Sequence, residues 1–381
     1  MKKILKNLIA SAILLCFMAS CDGLMDFHKD YIKDGETIYA PKVDSMSFIA
    51  GKERILFQFW LYNSPNVKTV DIFWNSKTDS LNIPVSPSFG IDSLEVVLPN
   101  MKEQSYTFDV RTTDNFGHKS LWTTGFGNSY GEFFASSLME RRVRELSLGE
   151  DGGVINLFTG IEGLVRTEIR YQKKDGTYAI VSTSRLDNTV DCPGAKSGST
   201  FEYRSLFIPE EASIDTFALA WQESSEIFPS IFLYNRANWS VLSVSDQTAS
   251  DGGGMHTMLD GDLGSYWHSQ WDGGNAPLPH WAIIDMVTAK DFIMIDTYRR
   301  PGNTDAKDIE YYVGSEPDAE SSTWVKVGSG QYPNHNQDKL TIDIDGSVNT
   351  AVGRYLKLVI TSSHRDPFTS IAEIYLYGGS K

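Results

Sequence analysis

Cysteine is scarce in this chain. Among 381 residues there are three, Cys16, Cys21 and Cys192. The first two lie within or directly after an N-terminal stretch typical of an export signal, so a processed chain would keep one internal cysteine. One cysteine excludes an internal disulfide. The exported protein must therefore be stabilised by its apolar core, with a bound metal ion as a possible further source.

Basic runs are also lacking beyond the N-terminus. The chain has 34 Lys and Arg against 49 Asp and Glu, a formal charge of -15. Nucleic-acid binding relies on clustered positive charge, so this balance argues against a nucleic-acid partner. It is compatible with neutral glycans and with cations.

Long apolar runs are missing except at the N-terminus. A largely apolar stretch follows Met1-Lys2-Lys3 and ends at Met18, interrupted by Lys6 and Asn7. It is too short to span a bilayer and predicts a secretory signal over residues 1–20. Residues 21–41 are polar and predict a tether.

The residues Met18-Ala19-Ser20-Cys21 resemble the lipobox of bacterial lipoproteins. The resemblance implies cleavage before Cys21, acylation of Cys21 and a membrane lipid anchor. An ordinary cleaved signal peptide, with Cys21 incidental, is the alternative.

Period-two alternation dominates from residue 42 onward, with no long helical pattern. Tyr106, Phe108 and Val110 alternate with more polar residues, and turn-forming clusters separate such runs at roughly ten-residue spacing. This pattern predicts an all-β protein built from sandwiches. We assign residues 42–132 to one sandwich and residues 133–230 to a second.

The run from Ser105 to Arg111 and its following turn resemble the sixth strand of fibronectin type III or immunoglobulin-like domains. The resemblance implies that Tyr106 is a corner tyrosine and that residues 133–230 repeat the plan. By overall pattern, residues 25–230 resemble a family known as domain of unknown function 4998, which implies no activity.

Residues 235–381 resemble the coagulation factor 5/8 type C, or discoidin, domain. The resemblance rests on Leu259-Asp260-Gly261-Asp262 with the following Ser265-Tyr266-Trp267, and on two closing segments, 353–358 and 371–378. The branch most similar is that of family 32 carbohydrate-binding modules. The family fold is an eight-stranded jelly-roll sandwich, which we expect here.

The Asp260-Gly261-Asp262 turn can direct several oxygens to one point, as calcium requires. The resemblance implies a structural Ca²⁺ held by side chains of Asp260, Ser265 and Glu373. Backbone carbonyls of Thr257, Asp262 and Ala372 would complete the shell. In the alternative, Asp260 caps local N–H groups without metal.

A galactose-type sugar needs one aromatic plane and a few hydrogen-bonding groups. The resemblance implies that such a pocket is built from His268, Trp271, Arg299 or Arg300, Asn303 and Phe368. The family usually has proline before the arginine, whereas Pro301 follows both here, so either arginine remains possible. Alternatively, Trp271 packs in the core, His268 is a satisfied loop histidine, and the arginines form surface ion pairs.

These features predict a protein that is not an enzyme. The first hypothesis is a lipid-anchored outer-membrane protein, exposed at the cell surface, that captures glycan beside neighbouring polysaccharide-utilisation proteins. The second is an adhesin or scaffold that binds protein or a host surface through the same domain. The third is an enzyme with an unrecognised site in residues 25–230, where no cluster of His, Asp and Glu is visible.

Overall fold

The computed structural model describes residue 35 and residues 37–344 and 352–380. The predicted signal over residues 1–20, Cys21 and most of the tether 21–41 lie outside the described residues. In the part of the chain that is described, no helix is both long and apolar enough to cross a membrane. Two compact units are present: the residues up to Ser137 with Pro209–Thr216, and Leu138–Ile208 with Phe217–Lys381.

The first unit is a sandwich of two antiparallel sheets with strand orders β1-β2-β5 and β4-β3-β6-β7. Its strands are β1 Ser45–Ala50, β2 Arg54–Tyr62, β3 Val67–Trp74, β4 Asp79–Pro84, β5 Ile91–Pro99, β6 Gln104–Asp114 and β7 Thr123–Ser129, followed by the short helix α1 Glu132–Ser137.

Alternation along these strands forms the core between the sheets. In β2, Ile55, Phe57, Phe59 and Leu61 are buried and the residues between them are not. Tyr106 donates its hydroxyl to the carbonyl of Lys102 at 2.9 Å, the bond expected of a corner tyrosine.

The second unit begins with another sandwich, with strand orders β12-β9-β8 and β11-β10-β13-β14, and with β15 also paired to β13. Its strands are β8 Val143–Gly149, β9 Gly152–Leu157, β10 Leu164–Gln172, β11 Tyr178–Ser184, β12 Thr189–Pro193, β13 Phe201–Phe207, β14 Phe217–Ala218 and β15 Gln222–Glu223. Cys192 is buried in this core, and burial raises the pKa of its thiol to about 12. The second sandwich therefore repeats the plan of the first, except that its larger sheet has five strands because β15 also pairs with β13.

Residues 209–216 differ from the range predicted for the second sandwich. They belong to the first unit, because Asp215 pairs with Arg54 at 2.5 Å and the N–H of Ile214 donates to the carbonyl of Ala50 at 2.9 Å.

The C-terminal region of the second unit contains two further antiparallel sheets, with orders β16-β25-β20-β23 and β17-β19-β24-β21-β22, and β18 paired to β25. The strands are β16 Ile231–Leu233, β17 Ser240–Val244, β18 Trp267–His268, β19 His280–Asp291, β20 Met294–Arg299, β21 Asp308–Gly314, β22 Val325–Gln331, β23 Lys339–Asp343, β24 Val352–Ile360 and β25 Ser370–Gly379. Eight of them have five or more residues, as a jelly roll requires. The all-β prediction, with a discoidin-type jelly roll at the C-terminus, is confirmed.

Candidate functional site

Four loops of the jelly roll form the candidate ligand surface. They follow β17, β18 and β20 and precede β25. Trp267 anchors the second loop: its ring is fully buried and its indole N–H donates to the carbonyl of Asp246 at 2.9 Å. The neighbouring His268 pairs with Ser370 of β25. The loop that follows is therefore fixed at its base by the core.

Asp251 is the centre of this surface. One carboxylate oxygen accepts the hydroxyl of Tyr266 at 2.5 Å, and the other accepts the indole N–H of Trp271 at 3.1 Å. The guanidinium of Arg300 lies 3.8 Å from the same carboxylate. Partial burial opposes ionisation, but these hydrogen bonds and the nearby positive charge hold the pKa of Asp251 below its ordinary value. Asp251 is therefore a fixed anion that orients three side chains.

No sequence pattern predicts this role for Asp251. The residue stands in a polar Ser250-Asp251-Gly252 stretch without a motif, and its partners lie 15, 20 and 49 positions away. Only the folded chain brings them together.

Trp271 and Arg300 are the exposed members of the cluster. The Trp271 side chain keeps 45% of its surface accessible, which rules out the core alternative for this residue. The Arg300 guanidinium stacks 4.4 Å above the Tyr266 ring and still remains 39% exposed. The surface thus offers one aromatic plane beside one cationic donor group.

Phe368 is a half-buried member of the surface, and His268 lies buried next to it, as the alternative of a satisfied loop histidine predicts. His268 is 3% exposed, and its Nδ1 lies 2.7 Å from the carbonyl of Ser269, so this nitrogen carries the proton and donates. The other ring nitrogen is left to accept. The ring of Phe368 lies 6.4 Å from the imidazole, and the guanidinium of Arg365 covers Phe368 at 5.0 Å.

Arg299 is not part of the surface, which corrects its prediction as a sugar ligand. It is fully buried and donates to the carbonyls of Ala306, Pro333 and His335. Its guanidinium also stacks on Tyr332 at 4.6 Å. A side chain enclosed in this way cannot reach a surface ligand. Of the two arginines that the sequence offered as ligand contacts, Arg300 is therefore the one that can reach a bound ligand.

Asn303 is half-buried and supports the loop on which it lies. Its Nδ2 donates to the carboxylate of Asp305 at 3.0 Å, and its Oδ1 accepts the N–H of Asp305 at 2.6 Å. Asp305 in turn pairs with Arg365 at 2.7 Å. Asn303 therefore helps to position Arg365 and the loop before β25, and its role as a direct sugar contact stays a prediction.

A buried ion pair lies beneath two of the loops. Nδ1 of His280 is 2.8 Å from the Asp246 carboxylate, and Nε2 is 2.7 Å from the carbonyl of Pro367. The same carboxylate accepts the N–H of Gln270 at 2.6 Å. The pair thus connects the loop carrying Trp271 to the loop carrying Phe368.

The residues predicted to hold calcium lie together on another part of the domain. Asp260 accepts the hydroxyl of Ser265 at 2.7 Å and the N–H of Asp262 at 2.8 Å. The carbonyl of Asp262 accepts the same hydroxyl at 3.0 Å, and the N–H of Gly261 donates to the buried Glu373. The turn and the closing strand therefore meet at one cluster of oxygens.

Three observations bear on whether this cluster fits a hard cation. Asp260 lies beside Glu373, and burial together with this second carboxyl raises the pKa of Glu373. Ala372 is the extra residue of a β-bulge between Tyr298 and Arg299 of β20, so it is left out of the pairing with that strand. Thr257 is buried and close by, with Asp260 donating its N–H to the Thr257 carbonyl at 3.3 Å. The groups that meet here are oxygen donors, the type that a hard cation prefers.

Other contacts of the same cluster partly satisfy it without a metal. Arg236 donates to Glu373 at 2.6 Å and to the carbonyl of Ile374 at 2.7 Å. Within the described residues, no group of three or more His, Cys, Asp and Glu is placed to hold an ion. Hydroxyl and backbone oxygens would have to supply most of a coordination shell here.

Comparison with known proteins identifies both regions of the chain. The profile of the domain of unknown function DUF4998 matches residues 21–217, and that of the F5/8 type C domain matches residues 241–374. Galactose oxidase of Gibberella zeae is 28% identical over 152 residues, which are 38% of this chain and 21% of that protein. The chain thus spans about a fifth of the length of the curated relatives it matches.

Three solved structures are similar to parts of the chain. The C-terminal domain of a chitobiase from Bacteroides fragilis is 24% identical, with 39% of this chain and 98% of that one covered and a TM-score of 0.33. The family 32 module of NanJ from C. perfringens, solved with galactose, is 17% identical, with 39% and 99% covered and a TM-score of 0.32. A SusE-like protein is 10% identical, with 90% and 98% covered and a TM-score of 0.34.

Structural likenesses this distant assign no ligand to the chain. The sequence profiles are decisive for family, because the first covers more than half of the chain and the second matches the jelly roll. The chain belongs to the DUF4998 family, and its C-terminal region is an F5/8 type C domain.

Proposed function

We propose that the protein is a non-catalytic carbohydrate-binding protein and that its C-terminal domain holds the glycan. The observation that carries the proposal is the exposed Trp271 indole, fixed by Asp251 beside the Arg300 guanidinium. A pyranose presents an apolar face and a ring of hydroxyls. Such a ligand suits an aromatic plane that is bordered by hydrogen-bonding groups. His268 and Phe368 would extend the contact along the same surface.

Arg300 gives the proposed site a preference for hydroxyl-rich ligands. A guanidinium presents several donors in one plane and accepts none. Sugar hydroxyls that are neighbours on one ring face, as in galactose-type sugars, supply matching acceptors. Contact with one sugar residue is small, so we expect a monovalent Kd of about 0.1–1 mM, with avidity from many copies.

The test is a calorimetric titration of the full chain with galactose, N-acetylgalactosamine and glucose. Replacing Trp271 by alanine removes the aromatic plane, a contact of about 0.5–1.5 kcal/mol beyond its buried area, so we expect at least about a tenfold loss of affinity. Trp122→Ala is the matched control, because Trp122 of the first sandwich is 42% exposed.

Equal affinity in Trp271→Ala and the parent protein would contradict the proposed site. Folded protein that binds none of the three sugars would contradict a galactose- or glucose-type ligand, and would favour the alternative of an adhesin that binds protein.

We further propose that Ca²⁺ is held by Asp260, Ser265 and Glu373, with carbonyls of Thr257, Asp262 and Ala372. The bound ion would supply positive charge that neutralises the two carboxylates and ties the 257–265 turn to β25. The convergence of these oxygens, and the Ala372 bulge, support the proposal. Its role is structural, since the cluster contains neither Trp271 nor Arg300.

We also propose where the protein is located. An acylated Cys21 anchors it to the outer membrane. The folded part is exposed at the cell surface, beside polysaccharide-utilisation proteins. The Met18-Ala19-Ser20-Cys21 sequence supports this. A Cys21→Ser variant is expected to move from the membrane fraction to the soluble fraction. A purified membrane form whose Cys21 carries no acyl group, by mass spectrometry, would contradict the anchor.

A further inference from the structure

A pocket lies at one end of the first sandwich, in a domain to which the proposed function gives no ligand. It is an open depression with a volume of about 460 Å³, bordered by the β2–β3 loop, the β6–β7 loop and the segment Ile38–Pro41 that leads into the fold. This volume is within the range of about 300–1,000 Å³ that is usual for ligand sites. In immunoglobulin-like sandwiches the corresponding loops cluster at one end, where variable domains recognise ligands.

The polar side of the pocket is built around Asp114. Its Oδ1 accepts the N–H of Phe116 at 2.9 Å and that of His118 at 2.8 Å, and its Oδ2 lies 3.0 Å from Nδ1 of His118. Burial opposes ionisation, but these hydrogen bonds hold the pKa of Asp114 below its ordinary value. Nδ1 of His118 therefore donates to a fixed carboxylate, which leaves Nε2 available to a ligand at the pocket.

Two amide side chains add further hydrogen-bonding groups. Asn63 uses its Oδ1 to accept the N–H of Gly90 at 2.9 Å, which leaves its NH₂ group as a donor. Asn66 holds the loops together through its backbone, whose carbonyl accepts the N–H of Asn115 at 2.9 Å. Its exposed side-chain amide makes no hydrogen bond to any described residue. The pocket thus offers amide and imidazole groups beside the Asp114 carboxylate.

The apolar side consists of aromatic rings that the fold leaves uncovered. Phe116 is 73% exposed and Tyr39 is 55% exposed, although both line the pocket. The Phe116 ring lies 6.1 Å from the His118 ring. Exposure of such apolar rings to water is unfavourable, and a ligand with an apolar face would gain free energy of binding by covering them.

We propose that this pocket is a second saccharide-binding site, specific for a neutral sugar residue. Aromatic rings beside amide and imidazole groups match a ligand that combines apolar C–H faces with hydroxyls. The lining residues include neither Lys nor Arg, so a phosphate or uronate carboxylate would meet no counter-charge there. The same lack of basic residues argues against an anionic lipid headgroup.

A second site on the same chain would strengthen capture of a polymer. When one site is occupied, the other meets the same polysaccharide at an effective concentration set by the linkage, and the combined affinity exceeds that of either site. The proposal does not depend on the C-terminal site, because the pocket lies wholly in the first unit.

The experiment uses the full chain with Trp271→Ala, which weakens the proposed C-terminal site at least about tenfold. This protein is titrated with neutral tetrasaccharides of glucose, galactose, mannose or xylose, by calorimetry and by NMR of labelled histidine side chains. We expect residual binding to one tetrasaccharide, with a shift of the His118 imidazole signal. Adding Phe116→Ala or His118→Ala should lower that binding at least tenfold. Phe133→Ala is the matched control, because Phe133 of α1 is 82% exposed and lies outside the pocket.

Three results would overturn the proposal. The first is residual binding that Phe116→Ala and His118→Ala leave unchanged. The second is no binding in the Trp271→Ala protein while the parent binds, a result that would contradict the second site but support the proposed C-terminal site. The third is a loss in these variants of co-sedimentation with phosphatidylethanolamine–phosphatidylglycerol vesicles but not of sugar binding, which would make the loops a membrane contact. Phe116 and His118 are solvent-exposed enough for both variants to fold, which thermal melting verifies.

Discussion

Removing the Asp246 carboxylate is predicted to destabilise the second unit and loosen the proposed glycan surface together. Asp246 accepts hydrogen bonds from the His280 ring, from the Ser245 hydroxyl at 2.6 Å and from the Gln270 N–H. His280 is fully buried, and its other nitrogen donates to the carbonyl of Pro367. The Asp246→Ala variant therefore leaves a buried imidazole without its charged partner and frees both loops from a common support.

The size of the effect follows from the burial of the pair. The side chains of His280 and Asp246 are 0% and 10% exposed, so water can replace little of what is lost. Breaking a buried pair on one side costs about 3–5 kcal/mol. For a unit of this size each kcal/mol lowers Tm by about 2–4 °C, so we expect a fall of roughly 6–20 °C.

The assay is thermal melting at neutral pH with sugar titration, and Asp285→Ala is the control. Asp285 lies on the same strand as His280, but its pair with Arg354 is exposed to solvent, so about 1 kcal/mol or less is expected. A Tm change in Asp246→Ala no larger than in Asp285→Ala would refute the reasoning. An unchanged sugar affinity in the folded variant would refute the link to the loops.

The pH dependence of the same variant gives an independent check. Burial opposes ionisation of Asp246, but bonds from His280, Ser245 and Gln270 hold its folded-state pKa below the ordinary value. Its contribution is therefore present above the unfolded pKa of about 4 and is lost as the pH falls through the folded value. We expect the Tm difference between parent and Asp246→Ala to shrink in that acidic range.

Two further predictions concern other parts of the fold. Tyr106→Phe removes the corner hydrogen bond to Lys102 and should cost the first unit about 1 kcal/mol, measured by denaturant unfolding, with the second unit unchanged; no loss in the first unit would contradict the role of this bond. Chelation by EDTA should lower the Tm of the second unit, and Ca²⁺ at a hundred times its Kd should restore about 2.7 kcal/mol. Because the folded-state pKa of Glu373 is raised, the chelated protein should lose stability as the pH rises through that value, an effect that Ca²⁺ removes. A Tm that is independent of Ca²⁺ between pH 4 and 8 would contradict the cation site.

Local patterns made much of the fold predictable. Period-two alternation in segments such as β2 and β6 indicates which side chains face the core, and the position of Tyr106 in its strand indicates the corner bond. The Asp260 turn is predictable for a similar reason, because Asp260, Asp262 and Ser265 are neighbours in sequence. Each of these inferences depends only on residues that are close to one another in the sequence.

The choice between Arg299 and Arg300 shows where residue type misleads. Arginine is rarely fully buried, so residue type alone predicts that both side chains are available to a ligand. Arg299 ends β20, however, and alternation places it on the inner face with Ile295 and Thr297. The alternation along the strand therefore predicts that Arg299 is buried, although its residue type does not. Asp251 is a different case, because its partners come from distant loops and no local pattern marks it.

Arg236 decides what a cation can contribute to this domain. Its guanidinium pairs with Glu373 and stacks 3.8 Å from the Tyr375 ring, so it already supplies a positive charge to the carboxylate nearest the core. Asp260 is satisfied by Ser265 and by the N–H of Asp262. The folded domain therefore does not need an ion to neutralise every carboxylate. Calcium is expected to add stability to a domain that folds without it, and its removal should lower Tm while leaving the Trp271 surface formed.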